Sequence, residues 1–396
     1  MLAGPIHHCP LRPLQPLPRL TESLPGTGGQ IRTQVEDFEV EELPLYLPAG
    51  EGDHLYLWIE KTDVAADALR RTIARCLDVG PGEVGMAGMK DRRAITRQWI
   101  SVPRRAEPLL AKIDGPRIRL LDVKAHRNKL RTGHLAGNRF RILLRGVCEG
   151  AGQLAADKLT LIQTCGIPNF YGTQRMGHGG ATLAAGWALG QGLHGLVQVR
   201  LPDDTEHALH LRDRSLQRLA ASALQSEVFN RTLAERMTRT LHDQVLLGDL
   251  CRKTDTGGQF ATDDVAREEL RLRAGQIELT GPMWGPKMPR PTGDALQLEL
   301  DVLQACGLDT EIFTRLGALA EGTRRALLVR PIDLSASMID EGLMLQFTLP
   351  AGAFATVVVN EFAGPVLGAE TLNLEVDDED TTARAAAFAE AQQPCA

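Results

Sequence analysis

Apolar and polar residues alternate with period two over GQIRTQVEDFEVEEL (29–43), HLYLWIEKT (54–62) and ITRQWISV (95–102), the pattern of strands with one buried face. Between them, DVAADALRRTIARCL places Val64, Leu69, Ile73 and Leu77 at helical spacing and is stopped by the Gly/Pro run VGPGEV. RRAEPLLAKI (104–113) reads as a further helix, RIRLLDVKA (117–125) and HLAGNRFRILLRGV (134–147) as strands, and GAGQLAADKLTLIQTCG (150–166) as a helix ending at glycine. Strands alternating with helices predict a mixed sheet covered by helices.

The pattern then changes. Residues 181–245 read as mostly helical, 246–300 as short strands and loops, and a helix follows near 301–320. RRALLVRP and LMLQFTLPAGAFATVVVNEF return to the patterning of the first module. We therefore expect one discontinuous domain, 29–163 and 321–362, interrupted by an insertion at 164–320. A flexible Pro/Gly-rich lead-in is expected at 1–28 and an acidic tail at 363–396.

Composition fits a globular chain: 43% of residues are hydrophobic and no run of apolar residues is long enough for a membrane span. The start is broken by prolines and arginines and does not read as a signal peptide. The 7 cysteines lie far apart without a CxxC pair or a His/Cys cluster, which argues against a disulfide framework and a structural zinc site and favours a reducing cytoplasm. The net charge of −6 hides its distribution, since Gly85–Arg145 carries 16 Lys/Arg against 4 Asp/Glu. Basic residues interleaved with strand-like apolar ones suit a phosphate-rich partner, although a solvated face is the plain alternative.

Within that basic region, GMAGMKDRRAITRQWISVP (85–103) sets one carboxylate, Asp91, among Lys90, Arg92 and Arg93. Gly85 and Gly88 suggest a tight or left-handed turn, so Asp91 is expected on a loop leading into a strand. Asp91 is then either a surface aspartate paired with nearby cations or a nucleophile or base that those cations keep ionised. Spacing alone leaves both readings open.

GMKDRRAITRQW resembles the signature of the TruD family of tRNA pseudouridine synthases, and five further blocks resemble that family in the same order. They are EDFEVEE (36–42), GEGDH (50–54), HRNKLRTGHLAGNRF (126–140), IPNFYGTQRMG (167–177) and LPAGAFAT (349–356). The resemblance implies an α+β fold in which a mixed, mainly antiparallel sheet with flanking helices is interrupted by a family-specific α/β insertion domain. It implies isomerisation of uridine to pseudouridine in tRNA, at position 13, with no metal or organic cofactor.

Asp91 would be the nucleophile, attacking at base C6 or ribose C1′. Phe140 would stack on the flipped-out base, Asn138 would orient Asp91 or substrate, and Phe38 and Phe354 would line the pocket. Arg32 stands where the family usually has Lys, and Asn360 where Arg is common. Lys90, Arg92, Arg93, Lys124, Arg127, Lys129 and Arg131 would contact tRNA phosphates, with Gln174 and Arg175 adding contacts from the insertion. tRNA is the expected partner; no membrane association and no obligatory protein partner are expected. A non-catalytic RNA binder or RNA chaperone and a retaining glycosidase-like hydrolase are the competing readings, the latter without an evident partner acid.

Overall fold

The computed structural model describes residues 5–364, which divide into two compact units: one comprising Cys165–Val329 with the N-terminal residues up to Leu20, the other comprising Thr21–Thr164 and the segment from Arg330. The acidic stretch from 365 onward lies outside the described residues.

The second unit is built on a nine-stranded sheet. Its main path runs Ile332–Ile339, Gly342–Pro350, Leu135–Val147, Phe38–Pro44, Ile95–Pro103, His54–Thr62 and Ile118–His126. Gly28–Gln30 pairs with Leu135–Val147, and Gly85–Met86 with Ile95–Pro103. Phe38–Pro44 runs parallel to Ile95–Pro103, whereas the other pairings in this sheet are antiparallel. The fold is therefore α+β, with a mixed, mainly antiparallel sheet.

Strand parity explains which face is covered. Leu55, Leu57 and Ile59 point inward with Ile100 and Val102, and the helix Ala66–Cys76 buries Leu69 and Ile73 in the same cluster. Burying each such side chain contributes about 1.5–3 kcal/mol. The segment Arg104–Lys112 is 3-10 rather than the expected α-helix. Pro108 within it cannot donate an α-helical hydrogen bond.

In the other unit, the 25-residue helix Arg214–Thr238 is capped by Asp213, whose Oδ1 accepts from Leu216 N at 2.8 Å. The helix Ala181–Gly190 packs against it so closely that a Cβ on Gly186 would sit 2.2 Å from the Ala220 carbonyl oxygen. The span 246–300 carries more helix than its loopy pattern suggests, namely Val265–Arg273 and Gly293–Ala305.

The described part of the expected flexible lead-in, residues 5–28, is instead folded structure. Ile6–His8 pairs in parallel with Leu196–Arg200, and Cys9 and Leu11 are buried in the first unit's core. Within the sheet unit, Thr21 is fully buried, with its N donating to Glu361 Oε2 at 2.9 Å. Prolines at 10, 13, 16 and 18 do not prevent this, because packed side chains order this segment without a long ladder.

Candidate active site

The loop 87–94 is assembled by close backbone approach. Gly85 does not adopt a left-handed conformation. A Cβ there would lie 2.3 Å from the Leu130 carbonyl and 2.4 Å from Ser101 Oγ, so glycine lets the segment 129–130 sit against the start of the motif. Gly133 N then donates to Ala87 O at 2.9 Å, and Leu130 N to Ser101 Oγ at 2.8 Å. Gly88 is likewise outside the left-handed region, with only ordinary van der Waals neighbours.

Asp91 lies in this loop, four residues before the strand Ile95–Pro103 begins. Its Oδ2 accepts from Arg32 Nη2 at 2.8 Å. The aspartate side chain is 46% exposed and that of Arg32 only 9%. The guanidinium also lies 4.1 Å above the Phe38 ring, and Arg32 holds a left-handed backbone (φ +59). Such a φ is costly for a non-glycine residue and persists where surrounding contacts determine it. An anion offered to solvent and held by a buried cation suits nucleophilic attack.

Beneath Asp91 lies Lys61, fully buried, whose Nζ donates to Asp91 O at 2.5 Å and Val64 O at 2.6 Å. Burial pushes its ammonium down to about 8, against the opposing pull of the Asp91 carboxylate. Beside it, Lys90 Nζ donates to Asn138 Oδ1 at 2.7 Å and lies 3.1 Å from Glu42 Oε2. Burial raises the Glu42 pKa despite the Lys90 charge. Lys90 was expected to contact phosphate; the structure instead buries it as the bridge between Glu42 and Asn138, which removes its ammonium from the surface.

Phe38 and Phe140 share the inward parity of Val40 and Ile142. The Phe140 ring is 7% exposed, stacked on Phe347 at 5.3 Å and set edge-on to Phe38 at 6.3 Å. It is thus packed within the sheet's covered face rather than displayed as an open platform. Phe354 is half-buried at the N-cap of the helix Ala355–Ala363. Asn360 lies in that helix with a buried Oδ1 that has no hydrogen-bond partner among the described residues.

The remaining expected RNA contacts are distributed over the surface. Arg92 Nε lies 3.5 Å from Asp63, Lys124 Nζ lies 3.3 Å from Asp122, and Arg127 pairs with Glu51. Lys129 Nζ donates to Gly82 O, whereas Arg93 and Arg131 are exposed. Gln174 and Arg175 lie in the other unit, in the 3-10 turn Thr173–Met176, where Arg175 donates to Ser222 Oγ.

Much of the basic charge is taken up on the opposite sheet face. There Arg141, Glu39, Arg97, Glu60 and Arg119 alternate in sign across five adjacent strands, at 2.7, 3.3, 2.9 and 3.1 Å in turn. The excess of cations in the sequence therefore overstates the charge free to meet a polyanion.

Lys61 and Glu42 were missed by the motif reading. Both break an inward run of apolar residues, Leu55–Leu57–Ile59–Lys61 and Phe38–Val40–Glu42, and that parity was the available signal.

The family model described as tRNA pseudouridine synthase D (TruD) matches residues 18–193 and 190–362. The tRNA pseudouridine synthase D of Anaeromyxobacter dehalogenans is 43% identical over 346 residues, covering 87% of this chain and 96% of that one. That of Thermus thermophilus is 40% identical over 345 residues, covering 87% and 91%. A solved structure from Methanosarcina mazei assigned to TruD aligns with a TM-score of 0.69 at 24% identity, covering 87% of this chain and 95% of its own, a likeness of fold. With the family model spanning nearly all of the described residues and relatives this similar over most of their length, the chain belongs to the TruD family of tRNA pseudouridine synthases.

Proposed function

We propose that this protein isomerises uridine to pseudouridine in tRNA, at position 13, with Asp91 as the nucleophile. The observation that carries the reading is the Asp91 carboxylate itself: it stands half-exposed on the KD loop of a TruD-family chain, held by the buried Arg32 guanidinium. Attack at C6 of the base precedes cleavage of the N1–C1′ bond, whereas attack at C1′ of the ribose displaces the uracil and breaks that bond as the ester to Asp91 forms. The uracil then turns, C5 bonds to C1′, and the bond to Asp91 is released; the proton lost from C5 is balanced by one gained at N1, so the product is an isomer of the substrate and no redox partner is consumed.

The target glycosidic bond is inaccessible inside a stacked helix, so the nucleotide is flipped out to reach Asp91. Arg32 orients the attacking oxygen, while the Glu42–Lys90–Asn138 chain holds the amide of Asn138 for the nucleotide or for Asp91. The half-buried Phe354 gives the base an apolar side, backed by the packed rings of Phe140 and Phe38. Exposed cations such as Arg93, Arg127 and Arg131 steer and hold the tRNA backbone. A tRNA-modifying enzyme of this kind works in the cytoplasm.

A non-catalytic RNA binder gains nothing from an aspartate fixed by Arg32, and family membership weighs against that reading. Mapping pseudouridine in tRNA from cells lacking this protein tests the proposal. Position 13 should lose the modification and regain it when the wild-type chain is restored; an unchanged map would contradict it.

A further inference from the structure

Lys61 is a buried cation that takes no part in the proposed bond-forming and bond-breaking steps. It ends the inward series Leu55, Leu57, Ile59 on the strand His54–Thr62, at 0% exposure. An ammonium withdrawn from water is costly unless its donors and its charge are both answered. Here two carbonyls from separate segments answer the donors. Val64 O belongs to the turn entering the helix Ala66–Cys76, and Asp91 O to the loop that presents the carboxylate.

The same joint is fastened by neighbouring contacts. Asp63 N donates to Ala94 O at 3.2 Å, Thr62 pairs with Ile95, and Arg92 Nε lies 3.5 Å from Asp63 Oδ1. Asp63 adopts a left-handed backbone (φ +52), which turns the chain back so that Val64 O reaches Lys61. Arg32 therefore fixes the Asp91 carboxylate, while its main chain is fixed separately.

We infer that Lys61 is a positioning residue for pseudouridine formation, a buried ammonium that clamps the main chain of Asp91 to the turn at Val64 and sets a positive charge beneath the carboxylate. This rests on the reading of Asp91 as nucleophile. Reaction between aligned groups is steeply sensitive to placement, and a shift of about 1 Å costs about 100-fold in rate. Substitution at Lys61 should therefore lower the rate of the chemical step and leave tRNA affinity nearly unchanged.

The groups around Lys61 also set its pH response. Burial comes first in lowering it to about 8; Asp91 and Asp63 hold the proton on, and Lys90 and Arg32 push it off. As pH rises through about 8, Nζ becomes a neutral amine with one donor fewer and no charge, and the clamp weakens. The wild-type rate should fall over that range.

The test compares the full-length wild type, Lys61→Met and Asp91→Asn in single-turnover pseudouridine formation on a tRNA transcript, from about pH 6.5 to 9.5, with tRNA Kd measured alongside. Asp91→Asn should be inactive. Lys61→Met should be slower by about 100-fold at pH 7 with Kd within about threefold, and should lack the decline above pH 8. If Asp91→Asn is inactive but Lys61→Met keeps the wild-type rate, or the wild-type profile stays flat to the alkaline limit, the Lys61 inference alone fails. An active Asp91→Asn overturns the functional reading, and the inference with it. Should Lys61→Met fail to fold, the wild-type profile decides: a decline supports the clamp, and a flat profile refutes it.

Discussion

Asp91 and Arg32, separated by 59 residues in sequence, meet at 2.8 Å in a contact that leaves the aspartate side chain 46% exposed and the arginine side chain 9%. A pair with one partner so open to solvent adds about 1 kcal/mol or less to stability. Its consequence is orientation of the aspartate. Arg32→Met is expected to lower the single-turnover rate by about 100- to 1,000-fold, the scale of losing one preorganised donor, with little change in tRNA Kd. Rapid-quench assays with enzyme in excess read this directly; an equal loss in Kd would assign Arg32 to tRNA binding instead.

Lys90 and Glu42 form a buried pair, with side chains 6% and 1% exposed. Lys90→Met strands the Glu42 carboxylate and should destabilise the protein by about 3–5 kcal/mol in urea unfolding, whereas Lys90→Met with Glu42→Leu should regain most of that loss. A double variant no more stable than the single would show that the pair is not what Lys90 supports.

Stability and rate should respond oppositely to alkali at Lys61. Its folded pKa is about 8 against 10.5 for the ordinary group, so between those values the unfolded chain binds more protons and the folded state gains stability as pH rises. The stability of wild type minus that of Lys61→Met should therefore increase from pH 8 to 10, measured by denaturant unfolding. A difference that stays constant or falls would place the Lys61 pKa outside this range.

Salt should weaken tRNA binding, and exposed cations should account for the slope. Arg131→Gln is expected to reduce the slope of log Kd against log salt by about 0.7–0.9, one phosphate contact. Lys90, whose ammonium is buried against Glu42, carries no such contact, so Lys90→Met should leave the slope unchanged. Equal slopes for wild type and Arg131→Gln would remove Arg131 from the interface.

Strand parity made much of the sheet unit legible. HLYLWIEKT spans the strand His54–Thr62 residue for residue, and the spacing of Leu69 and Ile73 matches the helix Ala66–Cys76. The loop position of Asp91 followed from the glycines before it and the alternating strand after it, although neither Gly85 nor Gly88 is left-handed; its partner did not follow, since Arg32 arrives through a left-handed backbone and a tertiary contact, neither of which has a period. Lys61 and Glu42 were readable as charges at inward positions, yet they fell outside the motif that drew attention. The strand Ile6–His8 was not readable, since three residues carry no periodicity and their partner Leu196–Arg200 is remote in sequence. Charge counting also misled at the sheet's other face, where Arg97, Arg119 and Arg141 serve Glu39 and Glu60.

The proposed reaction depends on Asp91 forming the bond to the nucleotide. Asn has nearly the same shape as Asp and can still occupy the site beside Arg32, but it lacks the anionic oxygen. Single-turnover assays of Asp91→Asn on tRNA, with Kd and unfolding measured on the same protein, test the claim most directly. We predict no detectable pseudouridine, tRNA affinity within about threefold of wild type, and an unchanged fold. Pseudouridine formation by the Asn variant at a rate near that of the wild type would contradict the account.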